Sequence, residues 1–137
     1  MNKTFAIIKP DAVERGLAGK ILALIEESGF KIKALRMARL TAPEAEGFYA
    51  VHEGKPFFEE LVAFMTSGPC YVMCLEKDDA VSEWRKLMGA TNPQHAEGGT
   101  IRRTFAESTG RNCVHGSDAD YTAQAELAYF FRTFETL

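Results

Sequence analysis

The sequence predicts an α+β fold, an antiparallel β-sheet with helices packed on it, and three observations carry that reading. Short apolar runs of strand length interleave with segments of helical period. Turn-forming residues fall between these segments rather than inside them. The composition is that of an ordinary globular chain, with 46% hydrophobic and 26% charged residues among 137. That length fits one domain over residues 1–137. A chain of this size buries roughly two thirds of the surface its unfolded form exposes, so it needs neither a disulfide nor a metal to fold.

The elements follow in order. Phe5 to Ile8 is an apolar run with β-branched members, as in a buried strand. Lys9-Pro10-Asp11 ends it, because proline cannot continue a central strand. From Ala18 to Glu27, Ile21, Leu22 and Ile25 share a helical face, and Gly29 is the stop. Phe30, Ile32 and Ala34 alternate with Lys31 and Lys33, which predicts a strand with one wet face. Thr41-Ala42-Pro43-Glu44 supplies an N-cap, a first-turn proline and a capping-box glutamate for a helix reaching Val51. Pro56 to Met65 is a further helix, with Phe57, Leu61 and Phe64 along one side. Ser67-Gly68-Pro69 turns the chain into a second central strand over residues 70–75. Ala80 to Met88 reads as a helix, Gly89 to Gly99 as a loop, and Thr100 to Ala106 as a short helix. Cys113 to His115 is a brief fourth strand. The last helix runs from about Asp118 to Phe131, with Tyr121, Ala125, Ala128 and Phe131 toward the core. This order suits an α/β sandwich of the ferredoxin-like kind.

Composition also excludes some functions. A formal net charge of −3 argues against a nucleic-acid backbone as an obligatory partner. Cys70, Cys74 and Cys113 cannot all pair within one chain and form no CxxC, which fits reduced thiols in the cytoplasm. Cys70 and Cys74 lie in the run Cys70 to Leu75 and read as small apolar residues. The N-terminal apolar run is too short for a signal peptide, and no stretch has transmembrane length, so no membrane partner is expected. His52, His95 and His115 lack a local metal-ligand spacing, and His52 and His95 read as surface residues.

The densest reactive cluster is Asn112-Cys113-Val114-His115-Gly116-Ser117-Asp118. Gly116 permits close backbone approach. Ser117-Asp118-Ala119-Asp120 offers an S-x-x-D start for the last helix. The positive end of that helix would attract phosphate and favour a neutral, nucleophilic imidazole at His115. Lys9 at a strand end, Arg85 on a helix and Arg102 after Gly98-Gly99-Thr100-Ile101 are candidate phosphate ligands, since the planar guanidinium donates two parallel hydrogen bonds. Periodicity cannot show that they converge.

These residues sit in a longer series of matching segments. They are Ile7-Ile8-Lys9-Pro10-Asp11-Ala12-Val13, Arg15-Gly16-Leu17-Ala18-Gly19, Phe48-Tyr49, Lys55-Pro56-Phe57-Phe58, Ser67-Gly68-Pro69, Gly89-Ala90-Thr91-Asn92-Pro93, Gly99-Thr100-Ile101-Arg102 and Asn112 through Asp118. In their order and spacing the chain resembles the nucleoside diphosphate kinases, from Lys3 to about Phe131. The resemblance implies that a nucleoside triphosphate such as ATP or GTP gives its γ-phosphoryl group to Nδ1 of His115, and that a diphosphate such as GDP then collects it. It implies that Glu126 orients the imidazole and that Ser117 supports Glu126. Lys9 and Tyr49 match residues beside the transferred group, and Arg85, Thr91 and Arg102 match residues holding phosphates. Asn112 matches the residue near the sugar hydroxyls, Phe57 the aromatic under the base, and Leu61 its neighbour. Mg²⁺ is implied on the nucleotide phosphates, with no dedicated protein site, and so is a homo-oligomer, tetramer or hexamer. The chain departs from the family's pattern at Arg103-Thr104, at Thr109 and in the loop Gln94 to Gly99. Two other readings stand beside this one: a hydrolase using Cys113 with His115, two residues apart on one strand face, and a ferredoxin-like module that binds a nucleotide without turning it over.

Overall fold

A computed structural model describes residues 2–137. Four strands form the sheet: β1 (Lys3–Ile8), β2 (Lys31–Ala38), β3 (Cys70–Glu76) and β4 (Val114–Gly116). Their order is β2-β3-β1-β4, and every neighbouring pair is antiparallel. Among the described residues seven α-helices accompany them: α1 (Pro10–Glu14), α2 (Ala18–Glu27), α3 (Ala42–Phe48), α4 (Phe58–Met65), α5 (Ala80–Met88), α6 (Ile101–Phe105) and α7 (Asp120–Phe130). The α+β, ferredoxin-like expectation holds.

Both faces of the sheet are covered. In β1 the two-residue period sends Ala6 and Ile8 into one layer and Phe5 and Ile7 into the other. The first layer packs Ile21 and Ile25 of α2, Trp84 and Met88 of α5, and Ile101 of α6. The second packs Ala45 of α3, Val62 and Met65 of α4, and Leu127 of α7, with Cys70 and Cys74 fully buried. Burial on both faces is why β1 and β3 read as nearly continuous apolar runs.

The capping box at α3 forms as its sequence requires. Thr41 Oγ1 accepts the Glu44 N–H at 3.3 Å, and Glu44 Oε1 accepts the Thr41 N–H at 2.8 Å. The helix stops at Phe48 rather than Val51, and a 3₁₀ turn, Ala50–His52, follows. The helix at Pro56 begins two residues later, so Phe57 lies ahead of α4 and is 47% exposed. The second strand starts at Lys31 and extends to Ala38, four residues past the expected end. A register shift between Ile32 and Ala34 breaks the simple alternation.

Two further expectations are corrected. Proline ends β1 but also opens α1, where its fixed φ and missing N–H suit the first helical turn. In α7 the buried residues are Ala123 and Leu127, whereas Tyr121 is 76% exposed and Ala125 and Ala128 face outward. Alanines carry too little hydrophobic contrast to set the helix phase, and Glu126 turns inward with Leu127 instead. The helix is also capped differently. Thr122 Oγ1 accepts the Ala119 N–H at 3.0 Å, which frees Ser117 for another partner.

Candidate active site

The site is built where β4 runs beside β1. His115 lies opposite Ile7, so its ring shares the face of Ile7 and Phe5. There it meets Phe48 at 5.3 Å, Phe5 at 6.0 Å and Tyr49 at 6.1 Å between ring centres, all edge-on. Three aromatic edges leave the imidazole little rotational freedom. Its side chain is 18% exposed, enough for a ligand to reach it.

One polar contact fixes the ring further. His115 Nε2 lies 3.1 Å from Glu126 Oε1. An ionised carboxylate only accepts, so Nε2 carries the proton and Nδ1 keeps its lone pair. Ser117 Oγ donates to the same Glu126 oxygen at 2.7 Å. From the other layer, Trp84 Nε1 donates to the His115 carbonyl at 3.2 Å. That approach requires glycine next door: a Cβ on Gly116 would lie 2.5 Å from Trp84 Cδ1 and 2.6 Å from Met88 Cε.

A second set of contacts joins the cations. Lys9, at the end of β1, donates from Nζ to Asn112 Oδ1 at 3.0 Å, and Asn112 Nδ2 donates to the Thr91 carbonyl at 3.2 Å. Arg102 is buried in α6. It donates to the carbonyls of Gly89 at 3.0 Å, Val114 at 2.8 Å and Asn112 at 3.4 Å. Arg85 is exposed and pairs with Asp118 at 3.0 Å. Burial, followed by the charge of Arg102, pushes the Lys9 ammonium down to about 8. Burial, followed by the charge of Arg85, pushes Arg102 down to about 10. Three like charges close enough to disfavour one another are poised to receive a polyanion.

The remaining residues line a route outward. Tyr49 is buried, and its hydroxyl has no hydrogen-bond partner among the described residues. Burial pushes its pKa up, so it stays a neutral donor. His52 lies 6.4 Å from the Tyr49 ring and 5.2 Å from Phe57, which makes a row of rings from His115 to Phe57. Lys55 Nζ stands 5.9 Å from the centre of the Phe57 ring. Leu61 packs at the edge of the second layer. Phe57 therefore lies at the far end of this row of rings from the imidazole.

The sequence reading missed four residues here. Trp84, Phe48 and Asp11 hold the site from behind, and His52 was assigned to the surface although it is half-buried. Only Asp11 and Phe48 carried a signal, through their places in the matched segments. The thiol reading fails on geometry. Cys113 sits outside β4 with φ +72°, which breaks the alternation, and it packs in the first layer while His115 faces the second. Burial pushes the Cys113 thiol up to about 11, far from a nucleophile's range. The departure at Arg103 has a local use, since Arg103 Nη1 donates to the Gln94 carbonyl at 3.3 Å and ties α6 to the loop before it.

A cleft of about 540 Å³ opens between α5 and the loop after it, lined by Ser82, Arg85, Lys86, His95, Glu97 and Thr100. It shares Arg85 with the site but does not contain His115. The chemistry is better placed by the His115–Glu126–Ser117 contacts and the cations than by this concavity. No helix among the described residues is long and apolar enough to cross a membrane.

Known proteins resemble this chain over nearly its whole length. The nucleoside diphosphate kinase family model matches residues 2–136. A nucleoside diphosphate kinase of Trichlorobacter lovleyi is 56% identical over 135 residues, covering 98% of each chain. That of Syntrophotalea carbinolica is 56% identical over 137 residues, covering 100% of each. Among solved structures, the Aquifex aeolicus enzyme superposes with a TM-score of 0.96 at 42% identity, covering 99% of both chains. The Halobacterium salinarum enzyme, solved in complex with CDP, superposes with a TM-score of 0.94 at 41% identity, covering 100% of this chain and 92% of that one. On the match of family, fold and whole-chain sequence, this chain belongs to the nucleoside diphosphate kinase family.

Proposed function

We propose that this chain moves the γ-phosphoryl group of a nucleoside triphosphate to a nucleoside diphosphate through a phosphohistidine at His115. The observation that carries the reading is the Nε2 contact with Glu126, which leaves Nδ1 as the free nucleophile. In the first half-reaction the Nδ1 lone pair forms a bond to the γ-phosphorus. The bond from that phosphorus to the β–γ bridging oxygen breaks, and the nucleoside diphosphate leaves with the electron pair. Positive charge then spreads over the phosphorylated imidazole, where Glu126 stabilises it through Nε2–H. The second half-reaction is the reverse, toward a different diphosphate, so one site serves both nucleotides in turn.

Lys9, Arg85 and Arg102 supply charge for the phosphates, and the Tyr49 hydroxyl is a donor that a phosphoryl oxygen would satisfy. Thr91 and Asn112 stand beside them, toward phosphate and sugar respectively. Phe57, with Leu61 beside it, offers a π-face to the base, a contact that every base can make. The side chains present do not suit a protein-held Mg²⁺: no group of three or more His, Cys, Asp or Glu among the described residues is placed to hold a metal, and the site is cationic. The ion would travel on the nucleotide's own phosphates, as part of the substrate. A single domain over residues 1–137, a cytoplasmic setting and a homo-oligomer belong to the same reading. The edge strand β2, with Leu35 at 45% and Met37 at 52% exposure, supports the last of these.

The test uses γ-labelled ATP with Mg²⁺ and no acceptor. An acid-labile, base-stable label on the protein is expected, and it should pass to GDP on addition. His115→Ala should lose both signals. Full activity in that variant would refute the mechanism. Binding without labelling in the unmodified protein would favour the non-enzymatic module instead.

A further inference from the structure

We propose that Asp11 is a positioning residue for phosphoryl transfer: its buried carboxylate holds the Cys113 N–H and so maintains the tight turn that sets Asn112 and His115 relative to each other. The inference rests on the reaction proposed above.

Cys113 is one of two residues other than glycine with positive φ among the described residues, at +72°. The Val114 N–H donates to the Asn112 carbonyl at 2.9 Å. A two-residue closure about a residue near φ +75° is a left-handed γ-turn, a rare and strained form for a residue with a Cβ. Such a conformation persists only where its surroundings over-determine it.

Three neighbours do so here. Asp11 Oδ2 accepts the Cys113 N–H at 3.1 Å, across 102 residues of sequence. The Lys9 N–H donates to the Cys113 carbonyl at 2.8 Å. Arg102 grips the carbonyls on either side, those of Asn112 and Val114. Lys9 and Arg102 are drawn toward phosphate in the proposed reaction, whereas Asp11 has no such second duty. It is 1% exposed, and its other oxygen, Oδ1, has no partner among the described residues. A carboxylate buried at that cost is spent on Cys113 alone, holding its backbone N–H and lying against its thiol.

The turn separates the two halves of the site. On one side Asn112 binds Lys9 Nζ, and on the other β4 carries the imidazole. If the turn relaxes, the spacing between the cations and Nδ1 changes, and misplacement by about 1 Å can cost roughly a hundredfold in rate.

Three variants test this: Asp11→Ala, Asp11→Asn, and Asp11→Ala combined with Cys113→Gly. The rate of phosphoenzyme formation at saturating ATP–Mg²⁺ and the KM for ATP are measured in each. The indole N–H resonance of Trp84, the chain's one tryptophan, reports the His115 carbonyl independently of activity. Asp11→Ala should lower the maximal rate about tenfold to a hundredfold while KM moves less than about threefold, and should shift the indole resonance. Asp11→Asn keeps an acceptor oxygen and should stay within about fivefold of the parent. Glycine takes φ +72° freely, so adding Cys113→Gly should restore at least about tenfold of the lost rate and return the resonance. Asp11→Ala with an unchanged rate overturns the inference. A double variant no better than Asp11→Ala in either folding or rate overturns it too, and this arm also decides the matter if Asp11→Ala alone does not fold. An unmodified protein that forms no phosphoenzyme would instead sink the proposed reaction, and the indole resonance would still judge the clamp.

Discussion

Replacing Gly116 by alanine places a Cβ 2.5 Å from Trp84 Cδ1, 2.6 Å from Trp84 Nε1 and 2.6 Å from Met88 Cε. Ordinary contact begins near 3.4 Å, so the indole must retreat by about 0.9 Å. It has nowhere to go, because Trp84 is fully buried and Met88 is 1% exposed. Overpacking of this kind costs about 1–3 kcal/mol. The retreat also breaks the Trp84 bond to the His115 carbonyl, worth about 1 kcal/mol. The sum, about 2–4 kcal/mol, is a large part of the roughly 5–15 kcal/mol that holds a domain together. With a urea slope near 2 kcal/mol per M, the unfolding midpoint should fall by about 1–2 M. Urea titration followed by Trp84 fluorescence measures it, and phosphoenzyme formation should slow in the folded fraction. Gly68→Ala and Gly98→Ala are the controls, since nothing lies within 4 Å of a Cβ at either position and neither has positive φ. A midpoint shift no larger than the controls, with an unchanged rate, would refute the packing argument.

Three other outcomes follow from groups already described. The Lys9 ammonium titrates near 8 in the folded chain against an ordinary 10.5, so kcat/KM should decline above about pH 8, and Lys9→Arg should move that limb upward; a profile flat to pH 10 in the parent would contradict the assignment. For stability the groups oppose one another: the depressed Lys9 adds stability as pH rises from about 8 to 10.5, but Cys70, Cys74 and Cys113, each raised from 9.0 to about 11, lose it between those values, so urea stability should fall from pH 9 to 11. Phe57→Ala should raise KM for adenine, guanine and cytosine nucleotides alike by about tenfold, with a smaller effect on kcat, because a half-exposed ring contributes stacking more than core packing; steady-state kinetics with each nucleotide checks it, and a loss confined to one base would point to edge recognition instead.

Much of the fold was legible because its signals are local. The apolar runs of β1 and β3 follow from burial on both sheet faces, and Thr41 with Glu44 marks the start of α3 through contacts three residues apart. Where local signals compete, the reading slipped. Pro10 stops a strand and starts a helix with the same ring, and the local pattern displays only the first effect. The alanines of α7 left its phase undetermined, and an inward carboxylate, Glu126, set it. Ser117 looked like a helix cap because its hydroxyl can serve one, but Glu126 accepts that hydroxyl instead.

By itself the sequence determined which chemistry is present: one imidazole beside a glycine, cations at a strand end and on two helices, and a linear series of segments specific enough to suggest a family. The tertiary structure alone decided what those groups do to one another. Which ring nitrogen is free, why Lys9 loses part of its basicity, and how Asp11 reaches Cys113 across 102 positions depend on contacts between β1, β4, α6 and α7. Such contacts arise from strand pairing and shared burial, which act through space and leave no period in the chain.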